Sequence, residues 1–371
     1  MRRRQVLAYA PALLTLPTLV SSCASVGAED YDQRVRHTWR IGPLKGLSVP
    51  ARMRELVRYA TLAPSSHNTQ CWRFALESDA ISILPDWSRR CPAVDPDDHH
   101  LFVSLGCAAE NLVQAARALG FDSDVTFAAY RDAVRVSLMP AAPKSSALFE
   151  AIPQRQSTRG EYDGKPLAVD ELQALERAVA DAGVQLAVLT KPQAIEAVLE
   201  LVIEGNTTQM DDPAFVSELT KWIRFNQTEA LTRGDGLYAA SSGNPTLPSW
   251  VARPVFRLAF RTGSENDKYA RQMRSSAGVA VFIAASEDKA GWIAVGRAFE
   301  RFALQATAMG VRTAHLNQPV EVASLRAPMA TLAGVPGQRP DLVIRFGRGP
   351  TMTPSLRRPV RAVLVDERIA V

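Results

Sequence analysis

Cysteine is scarce in this 371-residue chain, which has only Cys23, Cys71, Cys91 and Cys107. No two are spaced Cys-x-x-Cys, so spacing encodes neither a disulfide framework nor a zinc site, although one Cys pair remains possible. Histidine is almost as rare, with five residues and no His-Glu-x-x-His. The run Asp95-Pro96-Asp97-Asp98-His99-His100 therefore reads as capping and solvated groups before a helix, and no metal is expected. No Gly-x-Gly-x-x-Gly follows a strand-like run, so a Rossmann nicotinamide domain has no support. The apolar run over residues 6–20 is too short and too interrupted by proline to span a membrane.

What the chain does have begins with a basic cluster, Arg2-Arg3-Arg4, ahead of that apolar run, and the two together read as an export signal. Arg3-Arg4-Gln5-Val6-Leu7 resembles a twin-arginine signal, and Val20-Ser21-Ser22-Cys23 resembles a lipobox. The resemblance implies removal of residues 1–22, lipidation at Cys23, and a periplasmic or cell-envelope protein that meets the membrane only through its anchor or signal. An ordinary secretory peptide cut elsewhere is the alternative. Loss of residues 1–22 takes away three arginines and no acids, so the formal charge of +5 becomes +2 and no nucleic-acid footprint remains. With 47% apolar and 22% charged residues, the remainder has globular composition and enough length for a large core, expected in two halves.

The most informative segment is Ala63-Pro64-Ser65-Ser66-His67-Asn68-Thr69-Gln70-Cys71-Trp72. Before it, residues 53–63 carry apolar groups at helical spacing, ended by Pro64. After it, Trp72-Arg73-Phe74-Ala75-Leu76 alternates as a strand does. A capped turn and a ligand-gripping turn both suit the polar row between them. The segment resembles the Pro-Ser-Ser-x-Asn-x-Gln-Pro-Trp signature of nitroreductase-like flavoproteins, and more closely the form found in their Acg-type subfamily. The resemblance implies that Pro64, Ser65, Ser66, Asn68 and Gln70 lie against flavin mononucleotide (FMN). Cys71 departs from the pattern by replacing the family's proline, which leaves the backbone less fixed and puts a thiol at the ligand turn.

Residues 104–120 align without a gap on 294–310 at a constant offset of 190, agreeing at Gly106/Gly296, Ala108/Ala298, Glu110/Glu300, Ala116/Ala306, Ala118/Ala308 and Gly120/Gly310. Both read as long buried helices ending at a C-terminal glycine and followed by strands. The expected fold is thus α+β in two halves, 30–140 and 147–371, joined near Pro140-Ala141-Ala142-Pro143-Lys144-Ser145-Ser146. Acg-type proteins are similar in being single chains of two nitroreductase-like halves, an internal pseudo-dimer that removes the main reason to dimerise and makes a monomer the expectation. Residues 226–272, rich in Gly, Ser and aromatic groups, break the second half's pattern and suit a lid-like insertion.

Arg155-Gln156-Ser157-Thr158-Arg159 combines planar guanidinium groups with hydroxyl donors, the chemistry a phosphate requires. It resembles the family's Arg-x-Ser-x-Arg motif, which implies that these five residues bind FMN, with Arg155 and Ser157 on the phosphate and Arg159 approaching the flavin ring. At the family's interval beyond this motif lies Gly183-Val184-Gln185-Leu186, with no character of the ligand turn. At the same interval before the turn lies Arg36-His37-Thr38-Trp39-Arg40, with Thr for Ser. One complete pair remains, the 64–70 turn with 155–159, and one FMN per chain is expected, the reciprocal site being vacant or vestigial. Leu316, Asn317 and Gln318 match the family's Leu-Asn-Gln-Pro loop at the flavin. Residues 347–359 match its Arg-rich ending, where either Arg357 or Arg358 would reach the phosphate.

The resemblance implies an exported FMN-dependent oxidoreductase, with the flavin reduced and then passing electrons to a small-molecule or quinone-type acceptor. Outside the cytoplasm a quinol or an electron-transfer protein suits the donor role better than NAD(P)H. Alternatives are an FMN-sequestering protein with a covered flavin and little turnover, and a lipid-anchored interaction protein with a dead site.

Overall fold

The computed structural model describes residues 24–180 and 183–365. The leader, residues 1–22, and Cys23 lie outside the described residues. The first half begins, after a helix Ala24–Thr38, with α1 (Val49–Thr61), which has Pro50 in its first turn and buries Met53, Leu56, Val57 and Ala60 along one face. Then follow β1 (Trp72–Leu76), β2 (Ala80–Pro85), α2 (His99–Ala118), β3 (Phe121–Ala128) and β4 (Ala133–Pro140).

The second half repeats that order. It runs α3 (Val169–Val179), β5 (Val184–Leu189), β6 (Gly278–Ala284), α4 (Lys289–Ala308), β7 (Arg312–His315) and β8 (Leu342–Gly347). The strand orders are β1-β2-β4-β3 and β5-β6-β8-β7, the same topology twice. Every pairing in these two sheets is antiparallel, from Trp72 opposite Pro85 in the first to Leu342 opposite Phe282 in the second. The fold is α+β and internally repeated.

The halves share one interior. A buried apolar cluster runs without a break from Leu56, Trp72 and Phe102 to Phe282, Phe299 and Phe302, because α2 and α4 pack face to face between the sheets. Gly106 and Gly296 lie at their contact, which lets two helix backbones come close. The chain also crosses back: Leu364 bridges Phe74 in parallel and the Val365 amide donates to the Phe74 carbonyl at 2.8 Å, so the tail of the second half extends the first sheet's edge at β1.

Pro140 still pairs with Phe121, and Ser146 caps the helix Ala147–Ala151 by accepting from the Phe149 amide at 3.1 Å, which leaves 141–146 as the irregular join. The larger difference between the halves lies between β5 and β6. Residues 77–79 join β1 to β2, whereas 190–277 separate β5 from β6 and form the helices Pro192–Asp211, Pro213–Trp222, Gln227–Arg233, Ser249–Ala259 and Thr262–Arg274. The excursion starts well before the 226–272 that composition marks. Its first helix buries Ile195, Val198, Leu199 and Val202 against the second sheet, and so carries the pattern of an ordinary core helix.

Candidate functional site

The turn after α1 is held in an uncommon backbone conformation. His67, Asn68 and Gln70 have φ of 50°, 51° and 55°, three of the five non-glycine residues with positive φ among those described. Such geometry persists only where surroundings over-determine it. Here the Gln70 amide donates to Ser65 Oγ at 2.9 Å, and Asn68 Nδ2 donates to the carbonyls of Gly236 at 2.9 Å and Leu356 at 3.3 Å. The Gly236 amide returns a bond to the Asn68 carbonyl at 3.0 Å. The turn is therefore clamped between the insertion and the C-terminal segment.

Below the turn, two arginines from the second half converge on the C-terminal end of α1. Arg155 Nη2 donates to the Leu62 carbonyl at 2.9 Å, and Arg357 donates to the Thr61, Leu62 and Ala63 carbonyls at 2.7, 3.2 and 3.2 Å. Carbonyls at a helix end lack intrahelical partners and carry partial negative charge, so cations are favoured there. Arg155 Nε also lies 3.1 Å from Glu300 of α4, which is fully buried. Burial raises the Glu300 carboxyl to about 7, against the opposing pull of Arg155. Burial, with Arg155 second, brings the Arg357 guanidinium down to about 9.

These groups border a cavity of about 530 Å³ at the seam between the halves, a volume within the range of sites for cofactor-sized ligands. Pro64, Ser65, Ser66 and Asn68 line it from the first half, and Arg155, Gln156, Ser157, Arg159, Asn317, Gln318 and Arg357 from the second. Not every lining residue offers its side chain. Gln156 exchanges a pair of bonds with the Met352 backbone, at 2.9 and 3.0 Å, and Asn317 Oδ1 accepts from the Val343 amide at 3.1 Å.

Four expected site residues do not line the cavity. Gln70 is buried as a clip, donating to the Gly234 carbonyl at 2.9 Å and accepting from the Arg358 amide at 2.8 Å. Thr158 is fully buried, its amide bonded to the Thr313 carbonyl at 2.9 Å. Leu316 joins the core beneath the second sheet. Arg358 does not line the cavity and has its guanidinium 3.6 Å from Asp86, whereas Arg357 does line it. Cys71 is turned away as well, its Sγ against the Leu101 carbonyl and its thiol pushed up to about 12 by burial. Cys107 is the cysteine that reaches the cavity wall.

Several lining residues carried no sequence signal as site residues. Trp39, from the segment read as the remnant of a second site, instead walls this cavity, donating to the Ser355 carbonyl at 2.9 Å beneath the Arg357 guanidinium. His67 and His315 line it as neutral imidazoles, burial with Arg159 nearby holding them down to about 4 and about 3. The insertion adds Phe256, Lys268 and Tyr269, while Trp250 is 80% exposed and takes no part.

An anion with an aromatic body fits this wall. Arg155, Arg159, Lys268 and Arg357 line the cavity against two carboxylates, Glu265 and Glu321, and an unbalanced buried charge is costly without a partner. Arg155 Nη1, His67 Nε2, Gln318 Oε1 and Ser241 Oγ are buried polar atoms without a hydrogen-bond partner in the described structure. Trp39, Tyr238, Phe256 and Tyr269 supply flat apolar surface.

No model of a known protein family matches the chain. It is 24% identical over 326 residues to a Mycobacterium tuberculosis protein provisionally named an NAD(P)H nitroreductase, covering 84% of this chain and 90% of that one. A second protein of that organism, with the same provisional name and designated acg, is 23% identical over 326 residues, covering 84% and 94%. The chain is similar to nitroreductase-like proteins along most of its length. Among solved structures, a provisionally named nitroreductase from Anabaena variabilis matches with a TM-score of 0.49 and 10% identity, over 85% of this chain and 91% of that one. The FMN-dependent nitroreductase NfnB from Mycobacterium smegmatis, solved in complex with NADPH, matches with a TM-score of 0.37 and 12% identity, over 55% and 87%.

Proposed function

We propose that this chain is an FMN-dependent oxidoreductase of nitroreductase type, binding one FMN in the cavity between two fused halves. The observation that carries the reading is the convergence of the 64–68 turn and the 155–159 segment, one from each half, on a single cationic cavity. Both relatives named above carry a nitroreductase name. Arg155, Ser157 and Arg159 would hold the phosphate, since guanidinium and hydroxyl donors match its oxygens. Arg357 would act from behind, adding positive charge while its own donors brace the end of α1. Bound there, FMN would supply hydride and electron transfer.

The chain's own part is to bind, orient and exclude water. Phe256 and Tyr269 of the insertion would cover the ligand, and the clamped turn would fix its position with little reorganisation. Export through a twin-arginine signal, with an anchor at Cys23, suits a protein whose cofactor is loaded before translocation. The electron donor outside the cytoplasm would be a quinol or electron-transfer protein, and the acceptor a quinone or other small molecule. The second reading, FMN sequestration under the insertion, is favoured by the same covering residues.

Protein purified with its leader intact should carry flavin absorbance. When photoreduced, it should reoxidise rapidly with quinones or nitroaromatics. Retention of reduced flavin in the presence of those acceptors supports sequestration instead, and a colourless protein that takes up no FMN contradicts both readings.

A further inference from the structure

Beside the cavity, three donors of different chemistry meet from remote parts of the chain. His67 comes from the strained turn, Cys91 from the loop before α2, and Glu218 from the insertion helix Pro213–Trp222. One ligating atom of each lies within 4.8 Å of the other two. We propose that His67, Cys91 and Glu218 form a binding site for a zinc-like divalent cation that ties the insertion to the ligand turn.

The donors are available. Cys91 is a buried free cysteine, and the thiol hydrogen bonds among the described residues are those of Cys71 and Cys107; His67 Nε2 is buried and unpartnered. Glu218 accepts from the Ala93 and Val94 amides at 3.1 and 3.2 Å, which leaves lone pairs on both oxygens and holds the carboxylate in place. A neighbouring cluster makes the contrast. Asp95, His99 and His100 are also close together, but both His99 ring nitrogens are engaged, by Asp341 and Arg339. His99 therefore has no free nitrogen to offer an ion.

Mixed nitrogen, sulfur and oxygen donors select a borderline-soft ion such as Zn²⁺ over Mg²⁺ or Ca²⁺. Bonds of ~2.0–2.3 Å in a tetrahedron put ligand atoms about 3.5 Å apart, so the donors need to close by roughly an ångström. Binding deprotonates the Cys91 thiol, releasing one proton to solvent. A thiolate and a carboxylate together cancel the charge of the ion. Three protein ligands leave a fourth position for water. Sequence spacing gives no hint of the site, because the donors stand at positions 67, 91 and 218 on three separate elements.

Of the three donors His67 lines the cavity and Cys91 and Glu218 do not, so the variants that test the site are placed at Cys91 and Glu218, away from the FMN wall. Chelator-treated protein is titrated with Co²⁺, and absorbance is followed in the red, where oxidised flavin is transparent. The proposal predicts saturation at one Co²⁺ per chain with the intensity of a thiolate-bound tetrahedral ion, displacement by Zn²⁺, loss of that signal in Cys91→Ser, and weaker binding in Glu218→Gln. Zinc-edge X-ray absorption of the unmodified protein, independent of whether variants fold, should show one sulfur neighbour at about 2.3 Å. A zinc shell without sulfur, or a Co²⁺ spectrum unchanged by Cys91→Ser, overturns the proposal.

Discussion

Gly106 and Gly296 face each other where α2 crosses α4. A Cβ on Gly106 would meet the Ile293 carbonyl oxygen at 2.2 Å, and a Cβ on Gly296 would meet the Val103 carbonyl oxygen at 2.0 Å. The pairs are reciprocal, because Val103 and Ile293, like the two glycines, differ by the repeat offset of 190. Cys107 adds a bond from its thiol to the Gly296 carbonyl at 3.2 Å. The seam on which the cavity opens is thus set by a backbone-to-backbone approach that no larger residue allows.

Gly106→Ala and Gly296→Ala should each lower stability by about 1–3 kcal/mol, since the helices must part to admit a methyl group. The double variant should cost less than the sum of the two, because one separation relieves both clashes. Urea unfolding of the four proteins checks this. Additive or negligible losses would show that the crossing is looser than the structure has it.

Arg155→Lys should weaken FMN binding about 10- to 100-fold, the loss expected when a charged hydrogen-bond fork becomes a single ammonium. Arg358→Ala should leave affinity unchanged, since that side chain faces Asp86 outside the cavity. Fluorescence titration with FMN separates the two, and equal effects would contradict the placement of Arg155 at the ligand.

The repeat, the turn and the 155–159 segment were legible because each rests on local chemistry: a gapless helix register, a proline-stopped polar row, a clustered fork of donors. The roles inside those motifs were not. Asn68, Gln70 and Gln156 look like ligand contacts in sequence, yet their amides bind backbone of the insertion and tail, segments distant along the chain. Leu316 falls into the core because β7 leads its side chain beneath the second sheet. Trp39 and Glu300 were hidden for a converse reason, since tertiary packing alone brings them beside Arg357 and Arg155.

Stability should carry the imprint of Glu300. Its folded pKa of about 7 lies above the ordinary 4.5, so between those pH values the folded chain binds more protons than the unfolded one. Its contribution is present in full below pH 4.5 and lost as pH rises to about 7. The unfolding free energy of the unmodified protein minus that of Glu300→Gln should therefore fall across this window and level off above it. A difference that rises with pH would mean that the Arg155 charge outweighs desolvation at this site.

His67 and His315 act in the opposite sense. Their folded values of about 4 and about 3 lie below the ordinary 6.5, so their contribution is complete above pH 6.5 and is lost as pH falls through the folded values. His315→Gln should reduce the acid sensitivity of unfolding below pH 6.5. An unchanged acid limb would place the imidazole in contact with solvent.

One FMN held between two halves is tested most directly by the stoichiometry of FMN binding to a known concentration of folded protein. Flavin-fluorescence quenching should break sharply at one FMN per chain, with that single site weakened by Arg155→Lys. A break at two FMN per chain, or no saturable binding, would contradict it.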